Sequence, residues 1–273
     1  MNREGRETIA DAVERIYTTL VGFNSLRPSP VVNRHFGELI DLSLTSEGRV
    51  DDTLRHLEER GIDIGDLWRI CAKGEVELEY FWAEKILHSE GSLDDFPYYP
   101  NYDRLTNFEL EAIKKHRNLT DSKMLYIGNG AIPYTALMFS SKQKGLLVDC
   151  LDKDKKAREL GAKIFDYVGQ TGKFYLGDIA DTNLSFEKYD ILFLCALIGN
   201  SNQEKNAMLG RIHPKLDKRS LVVVRSVPDD HRRLLYPQFS FSQENMTRYE
   251  PLAEYNPPRE LGIINSIKLA EPR

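Results

Sequence analysis

Through residues 1–118 the apolar side chains recur at spacings of three and four, as in Ile9, Val13, Ile16, Tyr17 and Leu20. That is the period of helices with one buried face. Ser29 followed by Pro30 makes a helix opening, because serine caps free amides and proline in the first turn forfeits no hydrogen bond. The helix it opens is expected to run to about Leu42. Asp51 to Arg60 forms another, stopped at Gly61, and Asp66 to about Leu87 forms a long one interrupted in composition by Gly74. LDDFPYYPNY, from Leu93 to Tyr102, sets two prolines among four aromatic rings. Such a run cannot continue a helix and is read as a structured crossing between two halves.

From Lys123 the pattern changes to strand-like runs separated by helical ones: Met124 to Ile127, Leu146 to Leu151, Lys173 to Leu176, Asp190 to Cys195 and Leu221 to Arg225. Strands alternating with helices imply a mostly parallel sheet covered on both faces. Ile263 to Leu269 reads as a late strand, antiparallel at the sheet's end. The fold class expected is therefore α/β, with a helical bundle over residues 1–118 followed by a Rossmann-like domain over 119–273.

Charge narrows the partners. With 37 basic against 42 acidic side chains and a formal charge of -5, the chain lacks the electrostatic footprint of a nucleic-acid binder. No stretch approaches the roughly 20 apolar residues of a membrane-spanning helix, and Met1 to Thr19 alternates charged with apolar residues instead of forming a signal-peptide core. A cytoplasmic protein acting on small molecules is expected; its oligomeric state is not read from the sequence. Cys71, Cys150 and Cys195 lie far apart and read as buried small hydrophobes, and the six histidines show no metal-ligand spacing. No metal is expected.

The chemistry starts at LYIGNGAIP, from Leu125 to Pro133, where a strand runs into two glycines and a helix follows from Tyr134. Glycine permits a sharp turn and close approach of a ligand. Gly128, Asn129, Gly130, Ala131 and Pro133 would make this contact. Asp152, at the end of the next strand, can accept hydrogen bonds from both ribose hydroxyls, and Asp178, at the end of the third, could meet an adenine amino group. A dinucleotide would prefer a third glycine where Pro133 stands, which disfavours NAD. The IP pair resembles instead the first motif of enzymes that use S-adenosylmethionine (SAM).

Several runs then coincide in order: LRPSPVVNRHFGELIDL (Leu26 to Leu42), LEYFWAEKI (Leu78 to Ile86), FPYYPNY (Phe96 to Tyr102), IGNGAIP, YDILFLCALIG (Tyr189 to Gly199, with Leu197 placed at the cofactor), VVVRS (Val222 to Ser226), RRLLYP (Arg232 to Pro237) and IINS (Ile263 to Ser266). Together they resemble the nicotianamine synthase family across nearly the whole chain. The resemblance implies a helical domain on a Rossmann-like SAM domain. It also implies a reaction in which an acceptor amine attacks the γ carbon of SAM's methionine arm and expels 5'-methylthioadenosine, three SAM molecules giving the metal chelator nicotianamine. The metal would belong to the product's biology.

The resemblance places Glu79 at the family's catalytic glutamate and Tyr102 in the substrate pocket facing it. Glu79 would accept the amine's proton, since model α-amino groups titrate near 7.7–8.0. Glu75, one turn earlier, is left as a surface or supporting residue. A product with three carboxylates calls for guanidinium groups. Arg225 and Arg233 are the candidates, Arg232 an alternative to the latter, with Tyr236 and Asn265 as hydrogen-bonding neighbours. Two rivals keep the SAM site: a single transfer onto an amino acid such as histidine, giving an opine-type metallophore, and a methyltransferase, which would release S-adenosylhomocysteine. A third is a protein that binds SAM without chemistry.

Overall fold

In the computed structural model, residues 7–88, 91–181 and 183–273 are described, so the first part of the helical pattern read from Met1, up to Arg6, lies outside them. The helices begin where capping chemistry allows. Thr8 and Asp11 form a reciprocal capping box at the start of α1 (Ile9–Val21). Ser29 caps α2 (Pro30–Thr45) by accepting from the Val32 amide, with Pro30 in the first turn. α3 (Val50–Glu59) and α4 (Ile64–Leu87) follow as the spacing predicts.

α5 (Tyr99–Lys114) corrects one expectation, because it opens inside the aromatic run that was read as non-helical. Pro100 stands in the first turn, where a missing N–H costs nothing, so proline here starts a helix instead of barring one. Tyr102 thereby becomes a helical residue.

The remaining elements are β1 (Lys123–Ile127), α6 (Tyr134–Lys142), β2 (Leu147–Asp152), α7 (Lys155–Tyr167), β3 (Phe174–Leu176), β4 (Ile191–Leu194), α8 (Asn202–Ile212), β5 (Leu221–Ser226), α9 (Gln243–Arg248), β6 (Tyr249–Tyr255) and β7 (Ser266–Pro272). Among the described residues they build a seven-stranded sheet in the order β3-β2-β1-β4-β5-β7-β6. β1 to β5 are parallel, and β7 and β6 close the sheet antiparallel. Every residue of β4 and β5 is buried, which explains their unbroken apolar runs.

The late strand is antiparallel as expected but starts at Ser266, and it is not the edge. β6 lies outside it, alternating half-buried and exposed positions after the buried Tyr249, with a register irregularity between Pro251 and Ala253. Proline and such irregularities are tolerated at sheet edges.

Two cores meet at α4. Leu67 and Cys71 join the apolar cluster of α1, α2 and α3, into which Leu234 and Leu235 also insert. Ala83 and Ile86 join the cluster between α5, α6 and one face of the sheet. At 1.5 Å per residue α4 is about 36 Å long, enough to anchor an end in each core. Its middle is left to line the space between them. Gly74 is needed there, because a Cβ at that position would run into the ring of Phe36 on α2.

Candidate active site

Neighbouring strands β1 and β4 lie where the sheet's order reverses, and their carboxyl ends open into a cavity of about 460 Å³ bounded by α2, α4 and α5. In open α/β sheets this crevice is the usual ligand site.

The loop after β1 is shaped by what crowds it. Gly128 and Gly130 have φ of 81° and 64°, the left-handed region that disfavours side chains. A Cβ on Gly128 would meet Ile198, and one on Gly130 would collide with the carboxylate of Glu79. The Gly130 amide donates to Asp152 Oδ2 at 3.0 Å and the Asp154 amide to Asp152 Oδ1 at 2.9 Å, so the strand-end carboxylate is fixed in place. Asn129 is 4% exposed; its Nδ2 donates to the Gly130 carbonyl at 2.6 Å, while its Oδ1 has no partner among the described residues. Buried polar atoms are rarely left unpaired. An orphan acceptor in a ligand cavity marks a place for a donor.

Glu79 reaches this loop from the middle of α4. Its Oε2 accepts from the Ala131 amide at 2.9 Å. Glu75, one turn back, lines the same cavity and accepts from the Tyr236 hydroxyl at 2.6 Å, with Tyr102 nearby on the cavity wall. Glu75 is therefore not a surface residue, and Tyr102 lies close to both carboxylates. The i, i+4 spacing stacks both carboxylates on the helix face that carries Cys71 toward one core and Ala83 toward the other. That signal was present in the sequence: two acids continuing a buried stripe.

Burial, and after it the charge of Glu75, push the Glu79 carboxyl well above its usual range, against the pull of the Ala131 amide. Burial also raises Glu75, opposed by the Tyr236 hydroxyl and Arg225. Burial and then the two glutamates raise the Tyr102 phenol, which stays protonated as a donor. A carboxyl lifted toward neutrality can take a proton from an amine and can hold a cation.

Arg225 lines the cavity, its Cζ 5.1 Å from the Phe193 ring centroid and 5.9 Å from that of Tyr126, two rings that stack on each other 5.1 Å apart. Its Nε and Nη2 donate to the two oxygens of Glu109 at 2.6 and 2.8 Å, and Nη2 also to Thr135 Oγ1 at 2.8 Å. Burial alone would lower the guanidinium's pKa, but Glu109 more than offsets it and keeps the group charged. Glu109 is fully buried on α5 and was not singled out from the sequence. Neither was Lys205, whose Nζ donates to the carbonyls of Ala196 and Arg225 at 2.8 and 3.2 Å, tying together the ends of β4 and β5. Burial pulls its pKa down to about 8.

Of the expected site residues, Asp178 and Arg233 do not line the cavity, whereas the others do, Leu197, Pro133 and Asn265 included. Asp178 accepts from the Ala180 amide in its own turn. Arg233 is engaged by Asp51 and Asp229 at 2.7 and 2.8 Å, and the alternative Arg232 by Asp230 and the carbonyls of Pro257 and Ile263. Both arginines clamp the turn after β5 to its surroundings. Asn265 Nδ2 is buried without a partner among the described residues, the donor counterpart of the Asn129 orphan. Cys71 and Cys195 line the cavity as thiols whose pKa values burial pushes up to about 12. Among the described residues no group of three or more His, Cys, Asp or Glu side chains is placed to hold a metal ion, and no helix is long and apolar enough to cross a membrane.

Comparison with known proteins gives one consistent family. The profile described as "Nicotianamine synthase protein" matches residues 1–272. The chain is 28% identical over 281 residues to nicotianamine synthase 1 of Hordeum vulgare, covering 99% of this chain and 84% of that protein. It is 27% identical over 284 residues to nicotianamine synthase 3 of Oryza sativa subsp. japonica, covering 98% and 80%. Among solved structures, MtNAS in complex with MTA and tNA superposes with a TM-score of 0.79 at 20% identity, covering 98% of this chain and all of that one. A glutamate-to-glutamine mutant of MtNAS in complex with S-adenosylmethionine gives 0.75 at 19%, covering 98% and 99%. The solved structures establish the shared fold.

Proposed function

The chain belongs to the nicotianamine synthase family, and from that premise we propose that its cavity joins 3-amino-3-carboxypropyl units of SAM into nicotianamine or a closely related metallophore. The observation that carries this reading is the pair of stacked glutamates on the cavity wall, Glu79 bonded to the glycine loop after β1 and Glu75 one turn away.

SAM brings a sulfonium and an ammonium, and the cavity answers with Glu75, Glu79, Asp152 and Asp154. Asp152, held by the Gly130 amide, takes the ribose hydroxyls in this reading, and the orphan Asn129 Oδ1 a hydroxyl or amine donor of the ligand. The glycines leave the loop without side chains where the ligand must pass.

In the reaction, the lone pair of the acceptor nitrogen forms a new C–N bond to the γ carbon. The C–S bond breaks, its electron pair stays on sulfur, and 5'-methylthioadenosine leaves as a neutral thioether. The nitrogen then carries an extra proton, which Glu79 accepts. Glu75, steadied by Tyr236, accepts a hydrogen bond from the neutral acceptor amine and keeps its lone pair in line, and Arg225 and Asn265 receive carboxylates. Holding two reactants in such an array can contribute an effective molarity of about 10⁵–10⁸ M.

The roles of the two glutamates are tested by a Glu79→Gln variant. It should bind SAM but release 5'-methylthioadenosine at least about 100-fold more slowly, the scale of a lost general base. Release at the rate of the unaltered protein would remove Glu79 from the mechanism.

A further inference from the structure

Arg225 is presented to the cavity by an edge that the protein itself does not use. Glu109 takes Nε and Nη2 in a two-pronged contact, Thr135 shares Nη2, and the stacked Tyr126 and Phe193 rings support the guanidinium together from one side. Nη1 makes no hydrogen bond among the described residues, and it is not one of the side-chain atoms shut away without a partner. The backbone of Arg225 is fixed as well, by Lys205. A guanidinium is a rigid planar fork, so holding one edge dictates where the other points.

We propose that Glu109 is a positioning residue: its clamp on Arg225 aims Nη1 at an α-carboxylate of the substrates. This rests on the reading that Arg225 receives a substrate carboxylate. It also gives α5 two tasks, since Tyr102, seven residues earlier on the same helix, lines the cavity beside the two glutamates. By sharing the charge of Arg225, Glu109 leaves a carboxylate site that relies on direction more than on net charge, suited to a ligand that must be released.

The test compares two adenosine ligands in the full chain by calorimetry: S-adenosylhomocysteine, which carries the amino-carboxypropyl arm, and 5'-methylthioadenosine, which has a methyl in its place. With Glu109→Gln, the affinity for S-adenosylhomocysteine should fall about tenfold or more, the scale of a lost charge-assisted contact, while that for 5'-methylthioadenosine should stay within about twofold. If nicotianamine loses affinity in place of S-adenosylhomocysteine, the carboxylate belongs to the acceptor chain and the proposal stands. Glu109→Asp keeps the buried charge but withdraws it by one methylene, and should show the same split if the amide variant does not fold.

Equal weakening of S-adenosylhomocysteine and 5'-methylthioadenosine would reduce Glu109 to a folding role and overturn the proposal. So would unchanged binding in Glu109→Gln when Arg225→Met weakens the carboxylate ligands. Should Arg225→Met itself leave every ligand unaffected, the assignment of Arg225 falls first, and this inference with it.

Discussion

Glu79 occupies the space that a side chain on Gly130 would need, while its Oε2 accepts from the next amide, that of Ala131, at 2.9 Å. The catalytic candidate from the helical part and the glycine loop of the sheet part are thus complementary in shape.

Gly130→Ala should therefore be costly twice. At φ 64° a Cβ brings roughly 1–2 kcal/mol of backbone strain, and it also pushes Glu79 off the Ala131 amide. The expected result is a lower melting temperature together with at least about tenfold weaker SAM binding, measured by calorimetry. Intact binding would show that the contact is incidental.

Glu79 and Glu75 give a pH dependence of definite sign. Both carboxyls are raised, chiefly by burial, so the folded protein without ligand holds protons more tightly than the unfolded chain, whose glutamates titrate near about 4.3. Their favourable contribution is full below that value and is lost as pH rises through the raised folded pKa values. Glu79→Gln should then melt higher than the unaltered protein at pH 8, with the difference shrinking toward pH 4. Turnover of the unaltered enzyme should climb with pH on its acid side through a pKa above the ordinary glutamate range. A melting difference that does not change with pH would mean Glu79 titrates normally.

Tyr236→Phe removes the 2.6 Å bond to Glu75. Hydrogen bonds to charged groups contribute about 1.5–3 kcal/mol, so kcat/KM should drop about ten- to a hundredfold. The acid limb of its pH profile should also move upward, because that hydroxyl holds the Glu75 carboxyl down. A drop without the shift would assign Tyr236 to packing.

Gly74→Ala drives a methyl into the Phe36 ring. Overpacking of this kind costs about 1–3 kcal/mol, and because Phe36 lines the cavity, substrate affinity should fall along with stability in thermal melts. An unchanged melting temperature would show that α2 can step aside freely.

The sheet was legible because buried parallel strands are continuous apolar runs, so β1, β2, β4 and β5 stand out along the chain. β6 did not, since Glu250, Pro251 and Glu254 on an exposed edge read as loop. The family pattern points to Tyr102, but its helix is not legible in the sequence, because a proline starts a helix or breaks one according to its position. Glu75 was passed over although its spacing from Glu79 and Cys71 put it on the buried stripe of α4. Glu109 had no local signal: its partner Arg225 lies 116 residues away, and an acid in the run FELEAIKK looks like a solvated face. Arg233 and Asp178 show the converse, residues of suitable chemistry near strand ends that ion pairs and turn capping engage elsewhere.

The most direct measurement is to incubate the purified protein with SAM alone and identify the products by mass spectrometry. The account predicts 5'-methylthioadenosine together with nicotianamine, every unit supplied by SAM, and 5'-methylthioadenosine appearing only after an amino acid is added would replace repeated transfer by a single one. S-adenosylhomocysteine as the by-product would contradict the account, because it means the methyl group, not the aminocarboxypropyl arm, is what this cavity transfers.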